Sequence, residues 1–194
     1  MSRPPLDGDA LRGHFRKRNV VVVGRFKVSR EARMIVNRTM VEVFADRPHA
    51  ILLAANPGVS TAAFIMAAKQ KRGGSAGLRD FYLTVVLPSG LGQAPDEFRE
   101  ALKSSNLTVH YSLREPGAID PRLPCACLLE LNMVPSGLSF VAADEVLLGK
   151  AGWGDASSVM LAFTDRTNPS SGNPQTIAKA RDLGMYVIEI EIGQ

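Results

Sequence analysis

Cysteine, aromatic residues and long apolar runs are all scarce in this chain of 194 residues. The two cysteines, Cys125 and Cys127, are separated by one residue, an awkward spacing for a disulfide and two ligands short of a structural zinc site. Reduced structural thiols are the expectation. The longest apolar runs, Asn19 to Gly24 and Ala50 to Ala55, fall far below the roughly 20 residues needed to cross a bilayer, so no membrane partner is expected. An export signal is missing as well: Pro4, Pro5, Asp7 and Asp9 stand where a secretory leader needs an apolar stretch. A cytoplasmic location is expected.

Two nucleotide-binding motifs are also missing. Neither the dinucleotide fingerprint G-x-G-x-x-G nor the phosphate loop G-x-x-x-x-G-K-[ST] occurs, which sets aside the usual hydride-transfer and ATPase chemistries. His14, His49 and His110 are too scattered to suggest a ligand cluster, and no metal or cofactor is expected.

What is present is an ordinary globular composition, 45% hydrophobic and 22% charged, in a length that suits one domain with one sizeable core. The formal charge is +4, and most of the excess sits at the start. Arg3, Arg12, Arg16, Lys17 and Arg18 face only Asp7 and Asp9 within residues 1–18. That segment reads as a basic N-terminal tail, and residues 19–194 as a single domain.

Buried strands and amphipathic helices alternate along that domain. Asn19-Val-Val-Val-Val-Gly24 is a β-branched run of the kind buried on both faces of a parallel sheet. Ser29 is placed to cap a helix whose apolar residues, from Ala32 to Phe44, recur at three- and four-residue spacing. His49 to Ala55 is a second strand, with Ser60 or Thr61 as the cap of a helix to about Lys71, and Phe81 to Leu87 is a third. Pro95 opens a third helix with Asp96 and Glu97 in its first turn, and Leu107 to Tyr111 is a fourth strand. Between Arg114 and Gly154 the prolines blur the pattern: Leu123 to Met133 reads as a helix, and Ser139 to Lys150 as either a strand or a helix. Ser158 to Phe163 is a strand, Pro174 to Leu183 a helix, and Met185 to Ile192 the last strand. Strands separated by helices of this length form right-handed crossovers. The expected class is therefore α/β, a three-layer Rossmann-like arrangement of a mainly parallel sheet flanked by helices.

In such sheets a ligand lies beyond the carboxyl ends of the strands, where the strand order reverses. Three loops there combine glycine with a helix start: Gly24 and Arg25; Gly58, Ser60 and Thr61; and Ser170, Ser171, Gly172 and Asn173 before Pro174. Glycine permits close approach, unpaired helix amides attract an anion, and Arg25 could pair with a phosphate. Asp165, at the end of a strand, and Asp155 are the candidate carboxylates for glycosidic chemistry. Trp153, between two glycines, is a candidate for stacking on a base.

The order Val-Val-Val-Gly-Arg, then Ala-Ala-Asn-Pro-Gly-Val-Ser-Thr-Ala-Ala, then Val-Met-Leu-Ala-Phe-Thr-Asp before a Ser-Ser-Gly turn resembles the SLOG superfamily. That group includes the DprA/Smf DNA-processing proteins and the Lonely Guy phosphoribohydrolases. The resemblance runs over roughly 19–112 and 155–192 and reaches Gly24, Arg25, Gly58, Ser60, Thr61, Ser171 and Gly172 residue by residue. It implies binding of a nucleotide or nucleotide-derived phosphate ligand by a homo-oligomer-forming domain. The Pro-Gly-Gly-x-Gly-Thr-x-x-Glu motif of the phosphoribohydrolases has no counterpart, because Asn56-Pro57-Gly58 is followed by Val59. A nucleotide-directed hydrolase using Asp165 or Asp155 is thus an alternative expectation, and single-stranded nucleic-acid binding of DprA type, through the basic tail, is another.

Overall fold

The computed structural model describes residues 11–24, 27–111, 119–151, 157–165 and 174–192. Seven strands form one sheet: β1 (Asn19–Gly24), β2 (Ala50–Ala54), β3 (Tyr82–Leu87), β4 (Thr108–Tyr111), β5 (Cys125–Glu130), β6 (Ser158–Thr164) and β7 (Tyr186–Glu191). Five α-helices connect them: α1 (Arg30–Ala45), α2 (Val59–Gly73), α3 (Asp96–Ser105), α4 (Gly137–Ala151) and α5 (Pro174–Asp182). Every neighbouring pair of strands is parallel. The strand order is β4-β5-β3-β2-β1-β6-β7. The chain winds from β1 outward through β2 and β3, then returns to add β6 and β7 on the other side of β1. The order therefore reverses between β1 and β6, and the chain has the expected α/β architecture.

Side-chain alternation along the strands divides the interior into two cores. Val20, Val22, Ile51, Leu53, Leu83 and Val85 face α1, α2 and α3, where Val36, Met40, Phe64 and Phe98 meet them. Val21, Val23, Leu52, Ala54, Met160 and Ala162 face α4 and α5, which contribute Ala143, Leu147, Ile177 and Ala180. Central strands buried on both sides have to be apolar along their length, and residues 20–23 of β1, all of β2 and residues 159–163 of β6 are. Arg33 of α1 and Glu97 of α3 pair in two-pronged fashion across the outside of the first layer.

Several expectations are corrected. Residues 123–133 hold a strand, β5, in place of the expected helix. A run of Cys-Ala-Cys-Leu-Leu has no period that separates strand from helix, and its position between β3 and β4 decides the matter. Of the two readings for residues 139–150, the helix is the one found. Residues 11–18, expected to belong to the basic tail, are part of the packed domain. Leu11 and Phe15 are buried in the first core, and the Gly13 and Phe15 amides donate to the two carboxylate oxygens of Asp46, both at 2.9 Å. Among the described residues no helix is long and apolar enough to cross a membrane.

Candidate functional site

All five helices follow a strand's carboxyl end, so their amino termini gather along one edge of the sheet. At each the first amides lack intrahelical partners and carry partial positive charge. The chain treats these termini differently. On α1, Ser29 is extended, with φ −67° and ψ 171°, and its hydroxyl accepts from the Ala32 amide at 3.1 Å, the expected cap. Glu31 adds a carboxylate in the same turn, held below the usual carboxylate range by a backbone amide and by the Ser29 hydroxyl. On α3, Asp96 and Glu97 occupy the first turn.

The amino terminus of α2 has neither provision: no side chain caps it and no acid lies in its first turn. Gly58 is the cap residue, at φ 81° and ψ −121°, a conformation open only to glycine. The expected cap hydroxyls serve otherwise. The helix already begins at Val59, so Ser60 and Thr61 lie inside it, both buried. The Thr61 hydroxyl donates to the Asn56 carbonyl oxygen at 2.8 Å, tying the turn to the helix. Pro57 and Gly58 at the tip of the turn stay half-buried.

Gly24 ends β1 opposite Phe163 of β6, at the strand reversal. A β-carbon at Gly24 would stand 2.8–2.9 Å from the Val59 side chain, so the absence of one lets the start of α2 close down onto β1. Gly24 and Gly58 thus meet through Val59, as the sequence suggested for loops sharing one edge. Asp165 follows β6 at the same edge and is only 2% exposed. Arg25, Asp155, Ser170, Ser171, Gly172, Asn173 and Trp153 lie outside the described residues.

The sequence alone points to the hydroxyls of the Asn56–Thr61 loop and passes over three other buried polar residues. Asn56 is 5% exposed, and its side-chain oxygen has no hydrogen-bond partner. Asp144 of α4 accepts from the Thr176 hydroxyl, in the first turn of α5, at 3.0 Å, and both are buried. An acid inside an apolar helix is the one signal that could have drawn attention to Asp144.

Another unusual ionisable group sits at the far edge. Lys71, near the end of α2, is 1% exposed. Its ammonium donates to the carbonyls of Pro121 and Leu123 and lies 4.9 Å from the Phe81 ring centre. Burial pushes its pKa down to about 8, against the pull of Cys125, Asp80 and Asp120. With both carbonyls in hand and no exposure, it fastens the segment that leads into β5. The thiols of Cys125 and Cys127 are unpaired and buried, and burial raises both, Cys127 to about 11, so neither is a reactive thiolate at neutral pH. His14 stacks on Tyr186 and His49 meets the Tyr82 ring edge-on. No group of three or more potential metal ligands occurs among the described residues.

No protein-family model matches the chain, and no curated protein matches it either.

Proposed function

We propose that this chain binds a nucleotide or nucleotide-derived phosphate ligand at the carboxyl edge of its sheet, over the divergence of β1 and β6. The observation that carries the reading is the start of α2. A helix of 15 residues opens on a glycine at positive φ, with no capping side chain and no acid in its first turn, while α1 has both. A bound anion supplies what the side chains do not, and the helix dipole adds to the attraction. The position is the one where open α/β sheets take their ligands.

In this reading Arg25, next to Gly24, and Ser170, Ser171, Gly172 and Asn173, just ahead of α5, complete the cradle from the two strands that diverge. The resemblance to the SLOG superfamily points the same way, and a cytoplasmic location and association between copies of the chain belong to the same proposal. Hydrolysis through Asp165 has less support, because that carboxylate is buried.

Thermal unfolding against a panel of nucleotides and inorganic phosphate tests the proposal. A true ligand raises Tm in step with its free concentration, and Gly58→Ala weakens the shift. An unchanged Tm across the panel would refute the reading, and release of free base or phosphate would move it to the hydrolase.

A further inference from the structure

All seven strands run the same way, so the segments that enter them gather at the end of the sheet opposite the proposed crevice. Three of those segments lead into the adjacent strands β1, β2 and β3, and their backbones are tied together. The Lys17 amide donates to the Arg47 carbonyl at 3.0 Å, the His49 amide to the Arg18 carbonyl at 2.9 Å and the Tyr82 amide to the His49 carbonyl at 3.0 Å. Arg47 also reaches the loop ahead of β3, its guanidinium 3.7–3.8 Å from where a β-carbon would stand at Gly77. These ties bring Arg16, Lys17, Arg18, Arg47 and Arg79 to one end of the molecule. Among the described residues none of the five side chains forms an ion pair. The acids at that end do not balance them. Both carboxylate oxygens of Asp46 already accept amides and Asp120 is paired with Arg122, which leaves Asp80 and Asp182, both exposed.

Lys17 and Arg47 also hold an uncommon backbone conformation, at φ 55° and 56°, in the left-handed region where glycine or asparagine is the usual occupant. Among the described residues the other non-glycine positions of this kind are asparagines, Asn106 and Asn132. A turn that had only to be solvated would be more stable with asparagine at 17 and 47 and with fewer like charges side by side. Cations kept where backbone and neighbours both oppose them point to an anionic partner. Solvated cations hold a small anion weakly, so the partner is one that engages several at once. The apolar side chains of the same end say which. Leu123, ahead of β5, and Leu183 and Tyr186, at the start of β7, are half exposed or more and flank the cationic centre on either side. Singly they need no explanation. Around a basic centre they make a surface that suits lipid, with the cations at the phosphates and the apolar tips in the interfacial layer. A nucleic-acid backbone would engage the arginines and leave the leucines idle. The turns 46–49, 106–107 and 183–185 are short, which keeps the relief of that end low, as contact with a plane requires.

We infer that the end of the sheet where the strands begin docks this protein on an anionic lipid bilayer, with Lys17 and Arg47 at the centre of the contact and Leu123, Leu183 and Tyr186 dipping into the interface. Surface attachment needs no spanning helix, so the short apolar runs do not bear on it. It turns the carboxyl edge toward water, open to a ligand. The inference stands independently of what that edge binds.

Co-sedimentation of the full chain with vesicles tests it. Vesicles of phosphatidylcholine and phosphatidylglycerol in equal parts should carry the protein down at low salt, and added salt should weaken the binding. Pure phosphatidylcholine vesicles should bind far less. Lys17→Asn combined with Arg47→Asn should weaken binding to the anionic vesicles about twentyfold, at about fivefold for each cation near such a surface. The same double variant should melt no lower than the wild type, because asparagine suits both backbone conformations. Leu183→Ser should weaken binding about fivefold and leave its salt dependence unchanged, whereas Met34→Ser, on the outer face of α1, should have no effect. Absence of binding to the anionic vesicles, equal binding to both kinds, or unchanged binding by the double variant would overturn the inference. So would a loss in Met34→Ser as large as that in Leu183→Ser. If the protein retains single- or double-stranded DNA in preference to the vesicles, and Leu183→Ser leaves that retention intact, the face is a nucleic-acid interface and the lipid assignment fails. Should a variant not fold, hydrogen exchange of the wild type on the anionic vesicles decides. Slowing at residues 16–18, 47–49 and 183–186 would support the inference, and slowing at the carboxyl edge in their place would overturn it.

Discussion

Replacing Lys71 with methionine should remove a rise of stability with pH that begins near pH 8. The lysine is held by two carbonyls under the segment before β5, and burial lowers its pKa from 10.5 to about 8. In the unfolded chain it keeps its proton up to about 10.5, so between the two values unfolding takes up a proton and a higher pH favours the folded state. Below pH 8 both states are charged and the dependence vanishes, although the cost of burying the charge persists. The gap between 10.5 and about 8 corresponds to about 3 kcal/mol in all, of which about 1 kcal/mol appears between pH 8 and pH 9. Above pH 9 the thiols pull the other way. Cys127 ionises only near 11 when folded, and an unfolded thiol that ionises earlier lowers stability as pH rises further. The informative window is therefore pH 7 to 9. Urea unfolding of wild type and Lys71→Met across it should show curves that run parallel up to pH 8, with the wild type then gaining about 1 kcal/mol on the variant by pH 9. Profiles that stay parallel throughout would mean that Lys71 is not buried as a charge, and the reasoning would fall.

Two further substitutions test how the site is supported. Gly24→Ala drives a methyl group into Val59 and should cost about 1–3 kcal/mol, and a double variant with Val59→Ala should cost less than the two singles combined. Asp46→Ala removes the acceptors of the Gly13 and Phe15 amides. It should cost about 1–2 kcal/mol and speed hydrogen exchange most at residues 13–15, with exchange in β1 and β6 speeding by no more than the global loss of stability. Faster exchange spread evenly over the sheet would show that this segment does not open by itself.

The parts of the fold legible in the sequence are those where local preference and tertiary position agree. The valines of β1 and the Ser29 cap with its three- and four-residue apolar spacing each have one reading, and the structure adopts it. Leu128 and Leu129 have two, because a leucine pair suits a buried strand as well as a helix, and only the neighbours β3 and β4 resolve them. Leu11 and Phe15 lie among arginines, so composition hides their burial in the first core. The site was legible to the same degree. Gly24 and Gly58 announce a sheet edge from sequence, and they do share one through Val59. Ser60 and Thr61 lie two and three residues past the actual cap, Gly58, because the helix starts at Val59, and both are buried. Asn56 and the pair Asp144 and Thr176 depend on burial and on contacts between distant segments, which no local pattern records.

The central claim is that the ligand sits over the β1 and β6 divergence with its phosphate at the start of α2. Amide NMR spectra collected while adding a nucleoside monophosphate test it most directly. The largest changes are expected at Val59, Ser60 and Thr61, with Gly24 and Asp165 next, and the exposed face of α1 around Met34 and Val41 should stay still. Changes centred on the Lys71 edge or on α1, with the start of α2 unmoved, would contradict the account.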